Sequence, residues 1–580
     1  MSHVQSEVDP AARVRRWALI ILAVTAIAVI AWTWRSIAVL QREANAAVDP
    51  LGQISADPDQ LDETELLLRN SAIHAQRAKK ASNALPLRVA SRLPLIGDDM
   101  RAARTLANAL DNTVSDAGVP MVDLAARLLD VPEQGNGPRP LVNTDALNDA
   151  PATVDRASRA ISVSHQELAE INAASIIDQL SVPVTLATDK LGKADQALRE
   201  ANAYAPFAAD LLGADKPRDY LLVFENLAEA RPTGGIAGKW ALVRVDKGAI
   251  QLVDIGANEN LTELTLTSRP PLEDDFVALY GPSLGPVTNA NLTPNFPDAA
   301  RLILATWAQQ GRQPPQGVVS VDTVAIARLL ELTGPITVPT PGSSDQIVVG
   351  ADNFVQVAQA DMYRWFEGQE EARQLFLSGL TAVMLDRLGD NMSMRNLATT
   401  LAGLRDGQHL MAYSQDEAEE RALQQAGLSG ALPAPTGKQA LVFVTDNGGS
   451  KLQHYLHLGT CATAQAIGVQ IRNDVPADFS SALPDYVLNQ RAGAPDGDQI
   501  VTLAVYLPAG RGTDSVTVDG KPVPVQAGTE GGWALVRVPL SVPPGQTATV
   551  KIQLSGSGDA PEVQNQPLTH EVTAADGVCG

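Results

Sequence analysis

Three apolar runs joined by polar turns mark the stretch around which this chain is organised, Asp219 to Asn260. Tyr220–Phe224 is continuously apolar, Trp240–Val245 alternates, and Ile250–Ile255 follows the Asp246-Lys247-Gly248 turn, a pattern that predicts three strands. The polar segment between the first two, Asn226–Gly238, is expected as a loop and holds Arg231, Gly234, Gly235 and Gly238. Downstream the period changes repeatedly. A helix is predicted from Asp298 to Gln310, a strand at Gly317–Val321, a helix at Thr323–Leu332 and a strand at ITVP after Gly334-Pro335. Helices then follow at Asn353–Phe366 and Glu370–Leu388, with helical sequence to about Gly427. Strands alternating with helices predict an α/β domain with a mixed sheet over 214–432. Inside it, Glu263–Pro297 shows no period and reads as a functional loop or lid.

After a linker at Pro433–Gly437, short alternating runs return at intervals, from Leu441–Thr445 through Ile500–Leu507 and Trp533–Pro539 to Ala548–Leu554. They predict an immunoglobulin-like β-sandwich over 433–580. Upstream, Ser36–Asn202 lacks any Phe, Tyr or Trp, and its apolar positions recur with helical spacing, as in Leu106/Leu110/Val114 and Ile161/Leu168/Ile171. Breaks at Pro86, Pro94–Gly97 and Val131–Pro140 divide it into several helices, giving a helical bundle or stalk over 35–213. Before that, Ala18–Thr33 is wholly uncharged and apolar apart from two threonines, bounded by Trp17 and Trp34. It predicts a transmembrane anchor at 17–34. Arg13, Arg15 and Arg16 precede it, which implies a cytoplasmic tail at 1–16 and an extracytoplasmic location, at the cell envelope, for all that follows. The alternative reading is a cleaved signal peptide.

Charge narrows the partners. A net charge of −22 excludes a nucleic-acid-coating role, which needs clustered Lys and Arg. The two cysteines, Cys461 and Cys579, fall in the same C-terminal domain and are candidates for a disulfide, with two unpaired thiols as the alternative. No Ser-His-Asp elbow, HExxH or CxxC is present, and His454 and His457 are placed on opposite faces of a predicted strand, poor geometry for zinc. The glycines of ARPTGGIAG permit close approach of backbone amides to an anion, with Arg231 adding a forked donor. The competing reading is a tight connection whose arginine pairs with Glu225 or Glu229. Asp254 and Glu259, near Asn258, offer oxygen ligands for Mg²⁺ or Ca²⁺, although such residues after a strand also serve simply as turn formers.

The segments LLVFENLAEARPTGGIAGKWALV, NLTPNFPDAA, GVVSVDTVAIARLLELTGPITV and EARQLFLSGL resemble a bacterial membrane-anchored family, domain of unknown function 4012. Two of them are also distantly similar to the LytR–CpsA–Psr wall-polymer transferases, which move a polyprenyl-pyrophosphate-linked glycopolymer using arginines and Mg²⁺-bound carboxylates. That likeness implies a phosphotransferase in which Arg231 and Arg373 hold pyrophosphate and Asp254 assists Mg²⁺, with a polyprenyl-linked ligand or cell-wall glycopolymer as partner. The chain departs from that pattern where Arg231 is followed by Pro-Thr-Gly-Gly and Asp254 by Ile-Gly-Ala. A non-catalytic surface scaffold or adhesion protein is the alternative expectation.

Overall fold

The computed structural model describes residues 32–33, 35–53, 60–94, 96–131, 140–261, 274–281, 287–339, 346–387, 394–575 and 577–579. The anchor expected at 17–34 lies outside them except for Trp32 and Thr33, as do the tail 1–16 and much of the expected lid. Among the described residues no helix is long and apolar enough to cross a membrane. The chain divides into two compact units, one of residues 1–131 with 145–206 and one of 132–144 with 207–580.

Helices carry the chain from residue 35 to Leu211. They are α1 (35–48), α2 (Leu61–Ser82), α3 (Leu85–Ala90), α4 (Gly97–Asp111), α5 (Val119–Leu129), α6 (Thr144–Leu147), α7 (Ala150–Ala169) and α8 (Asp178–Leu211). Alanines dominate the core of the first unit: Ala102, Ala109, Ala117 and Ala157 pack with Ile161 and Leu168. With no aromatic rings between Ser36 and Asn202, these helices meet largely through small side chains. A half-buried ion pair, Lys79 Nζ to Asp111 at 2.7 Å, links α2 to α4.

The second unit opens with a five-stranded sheet of β1 (Arg218–Arg231), β2 (Gly234–Asp246), β3 (Ala249–Ala257), β4 (Gly317–Asp322) and β7 (Leu410–Ser414). Their order is β3-β2-β1-β4-β7, with β1 and β4 parallel and the other pairs antiparallel. A small hairpin, β5 (Ile336–Pro339) with β6 (Gln346–Val349), stands apart. Alternate residues of β1 face opposite layers. Leu221 and Val223 pack with Trp240, Trp307, Phe276 of α9 (Asp274–Tyr280) and α10 (Phe296–Gln309). Tyr220 and Phe224 pack with α11 (Thr323–Thr333), the short turns α12 (Phe354–Gln356) and α13 (Met362–Trp365), α14 (Glu370–Arg387) and α15 (Met394–Asp406). The chain stretch 140–144 belongs to this unit because Leu141 N–H donates to Gly248 O at 2.9 Å beside the β2–β3 turn.

Past α16 (Glu417–Gln425) the chain is β-structured. The first four strands are β8 (Gln439–Asp446), β9 (Leu456–Ala462), β10 (Ala466–Asn473) and β11 (Gln499–Tyr506). β12 (Thr513–Val518), β13 (Lys521–Pro522), β14 (Gln526–Glu530), β15 (Trp533–Val542) and β16 (Thr547–Leu554) follow, and β17 (Glu562–Asn565) and β18 (Thr573–Ala574) end the series. They build two sheets, β13-β12-β16-β10-β9-β18 and β14-β15-β11-β8-β17, which share a core of Val442, Val444, Ile467, Val469, Leu503 and Val538. The last strands return to the first: β17 runs parallel to β8 and β18 parallel to β9. Between them Gln566 hydrogen-bonds the backbone of Val444 on both sides, accepting from its N–H and donating to its carbonyl. Cys461 and Cys579 form a disulfide with Cα atoms 6.1 Å apart. These sheets and the α/β part lie in one compact unit.

Candidate functional site

The polar segment expected as a loop is a bulged hairpin. β1 and β2 stay paired from Arg218↔Val245 to Arg231↔Gly234, with register shifts at Phe224/Glu225 and between Asn226 and Ala230. Glycine is required here for close approach: a Cβ on Gly235 would lie 2.0 Å from the carbonyl oxygen of Asn226. Gly234 has φ 136°, and a Cβ on it would lie 2.6 Å from Glu225 Oε2. Gly234 therefore makes room for the chain's own carboxylate and Gly235 for its backbone, and Gly235 N–H donates to Glu225 Oε2 at 3.2 Å. The bulges also place Glu225, Asn226 and Glu229 on the wall of a cavity beneath α14.

That cavity, of about 240 Å³, is lined by charged and polar groups together with an apolar wall. Arg373, Leu377, Leu380 and Met384 all line it. Their spacing of three or four residues puts them on one stripe of α14. At 1.5 Å per residue, Arg373 and Met384 stand roughly 16 Å apart along the helix axis. The apolar wall is completed by Ile326 and Leu330 of α11, Ile336 of β5, and Phe354 and Met362. Apolar cavities stay dry, and one of about 150 Å³ is sufficient for benzene.

Cations and rings surround the Arg373 end. The Arg373 guanidinium lies 5.0 Å from the Tyr363 ring centroid and 4.6 Å from that of Tyr486. Lys451 Nζ lies 5.6 Å and 4.4 Å from the same two rings. Lys451 and Tyr486 come from the C-terminal sheet region, so this end is shared between the two parts of the unit. Arg373 is held by Glu370, and Lys451 by Glu229 at 3.1 Å. Burial opposes the charge on Arg373, yet Tyr486 and Glu370 together lift its pKa above the usual guanidinium value. Tyr486 is 46% exposed and opens to solvent. Asn226 Nδ2 donates to Tyr363 Oη at 2.9 Å, and Lys239 Nζ donates to Ser378 Oγ at 2.8 Å. Gln374 Oε1, on the same wall, is buried without a partner among the described residues.

Glu225 is the second unusual group. Burial pushes its carboxyl up to about 8, against hydrogen bonds from Ser320, Gly235 N–H and Thr233, while the nearby Asp322 adds to the rise. Asn291 Nδ2 also reaches it, at 3.4 Å. Burial therefore favours the protonated form of Glu225. Asp322, its partner across the parallel pairing with β4, is engaged elsewhere. One of its oxygens caps α11 through the N–H groups of Val324 and Ala325, and the other meets His409 Nδ1 at 2.5 Å.

The residues singled out by sequence separate into distinct places. Arg373 and Gly238 line the cavity. Arg231 does not: at the end of β1 its Nη1 donates to the carbonyls of Ala230 and Asp446, at 3.0 and 3.1 Å, and Gln566 Nε2 donates to its own carbonyl. It pairs with neither Glu225 nor Glu229. Burial lowers its pKa, opposed by Asp446 and Glu229. It fastens β1 to β8, and Arg231 and Arg373 do not form one anion clamp. Gly234 and Gly235 serve the hairpin. Asp254 pairs with Arg312 at 3.1 Å, and the side chain of Glu259 lies outside the described residues. Among the described residues no group of three or more His, Cys, Asp or Glu gathers as a metal site. His454 lies in a short 3₁₀ turn, Leu452–Tyr455, and only His457 is in a strand. Lys451, Tyr486 and Tyr363 went unrecognised because nothing local marks them. The Arg373-Leu377-Leu380-Met384 stripe could have been read from its spacing.

Residues 215–363 match the model of a family described as Protein of unknown function (DUF4012). The matched segment supplies β1 to β6, α11 and Tyr363, whereas α14, Lys451 and Tyr486 lie beyond it. Neither a curated protein nor a solved structure matches the chain, and the expected likeness to LytR–CpsA–Psr transferases is not shown.

Proposed function

We propose that the DUF4012 segment, together with α14 and the Lys451–Tyr486 region, forms a binding site for a lipid-linked anion, in a protein anchored at 17–34 and facing the extracytoplasmic side of the cell envelope. The carrying observation is the cavity beneath α14. Its apolar stripe along α14 suits a hydrocarbon or prenyl tail, and Arg373 and Lys451 at one end suit a phosphate or pyrophosphate head. An immunoglobulin-like reading of the C-terminal sheets belongs to the same proposal, with that region contributing half of the head site. Binding is favoured over catalysis, because Arg231 and Asp254, the expected transferase groups, are occupied in structural contacts.

The test uses the full chain in phosphatidylcholine nanodiscs, with melting followed against farnesyl pyrophosphate, farnesol and free pyrophosphate. Mg²⁺ is present in one arm and EDTA in another. At ligand a hundredfold above Kd the gain is about 2.7 kcal/mol. Farnesyl pyrophosphate should stabilise more than either half, and Leu380→Trp, which fills the apolar end, should remove the effect. Equal responses to all three, or none, would overturn the proposal. A shift that requires Mg²⁺ would restore a metal to the site.

A further inference from the structure

Both cations at the cavity mouth already have anionic partners, and the two partners differ. Glu370 is half-exposed on the first turn of α14, where it also serves the helix N-terminus. Glu229 is largely enclosed: its side chain is 16% exposed and that of Lys451 10%. Glu229 sits in the stretch of β1 between Asn226 and Ala230 where pairing with β2 is interrupted, so its backbone is free of the ladder. Its carboxylate meets Lys451 at 3.1 Å, and Asn226 Nδ2 at a marginal 3.4 Å. Lys451 is better fixed, since its N–H donates to Val487 O at 2.9 Å and its ammonium rests on Tyr486. Arg373 and Lys451 lie on the same Tyr486 ring, no more than about 9 Å apart.

We infer that Glu229 is a tethered competitor that occupies the head position of the ligand and sets the charge an incoming head must carry. This rests on the lipid-anion reading above. A monoanionic head replaces Glu229 on Lys451 by a group of equal charge and gains little. A phosphomonoester or pyrophosphate carries roughly −1.5 to −2 at neutral pH, and has oxygens to spare for Arg373. The preferred ligand is therefore an alkyl or isoprenoid phosphate, not a fatty acid or alcohol. Discrimination comes partly from the repulsive element, as specific sites often arrange.

The test is calorimetric titration of the full chain in phosphatidylcholine nanodiscs, corrected for empty discs, with octyl phosphate, octanoate and octanol. Wild type should bind octyl phosphate at least fivefold more tightly than octanoate. Glu229→Gln should tighten both anions about tenfold, leave octanol unchanged and steepen the salt dependence. Removing Glu229 leaves Lys451 buried without its partner, so Glu229→Gln/Lys451→Gln is the control, and its phosphate affinity should fall to that of octanol. Wild type that binds no octyl compound defeats the lipid-anion reading itself. Wild type that prefers phosphate but gains nothing from Glu229→Gln defeats only this inference. Repeating the titration with farnesyl phosphate and dihexanoyl phosphatidic acid separates the two sources of such a head: a single-chain site takes the first and excludes the second.

Discussion

Replacing Glu225 by Gln should make the protein more stable at alkaline pH, by an amount that grows with pH. The folded carboxyl titrates at about 8 against 4.5 for the free group, so between these values the folded state binds a proton that the unfolded state has released. Stability consequently falls as pH rises through that window, at about 1.4 kcal/mol per unit for one proton. The cost reaches about 3 kcal/mol at pH 7 and approaches 5 above pH 8. Glutamine cannot titrate, but its NH₂ faces either Gly235 N–H or the Thr233 and Asn291 donors, a fixed loss of about 1–3 kcal/mol at every pH. The informative quantity is therefore the slope of the mutant-minus-wild-type difference. For a unit of roughly 390 residues, unfolding entropy is about 0.8 kcal/mol/K, so melting of the variant should gain about 4 °C on wild type between pH 5 and pH 8. Scanning calorimetry at half-unit pH steps reads this directly. A flat difference would mean that Glu225 is ionised in the fold, and the argument that burial dominates its hydrogen bonds would be wrong.

Three other outcomes are expected. Arg231→Met should cost about 2–4 kcal/mol of stability through its lost charged hydrogen bonds to buried carbonyls, measured by urea denaturation, and should leave octyl phosphate affinity unchanged. Cys461→Ala/Cys579→Ala opens a crosslink spanning 118 residues and should lower stability by up to about 5 kcal/mol in the chain-entropy account; the penalty should vanish when both proteins are compared under reducing conditions. His454, whose pKa burial lowers to about 4 with His570 adding to the fall, stays neutral in the fold while the unfolded group charges below 6.5. Wild type should therefore lose up to about 3 kcal/mol as pH drops through that window, and His454→Gln should lack that component of the loss in parallel melting curves.

Legibility in the sequence followed the range of each interaction. The strands around Tyr220, Trp240 and Ile250 were readable because a continuous apolar run, an alternating run and the turn between two strands each lie within a few consecutive residues. So were Val114, Ile161 and Leu168, which are buried as helical spacing required. The hairpin between Asn226 and Gly238 was hidden because its polar residues face a cavity and a domain junction, not solvent. Polarity in a strand then mimics a loop. Arg231 attracted attention as a lone cation among glycines, but its partner carbonyl belongs to Asp446, more than two hundred positions away. Lys451 and Tyr486 were unreadable for the same reason. Their meaning lies in what they approach, and periodicity records only what lies three or four residues distant.

The closure of β17 onto β8 and β18 onto β9 has a consequence for how the molecule is made. Gln566 completes the hydrogen bonding around Val444 and grips Arg231, and the disulfide waits on Cys579. A ribosome delivers these groups only after every earlier strand of both sheets. Until then the edges of both sheets are unpaired and the fastening of β1 is incomplete, so the α/β core must persist half-sealed while more than a hundred further residues emerge. Truncation by even twenty residues at this end would strike the first strand of the sheet region as hard as the last.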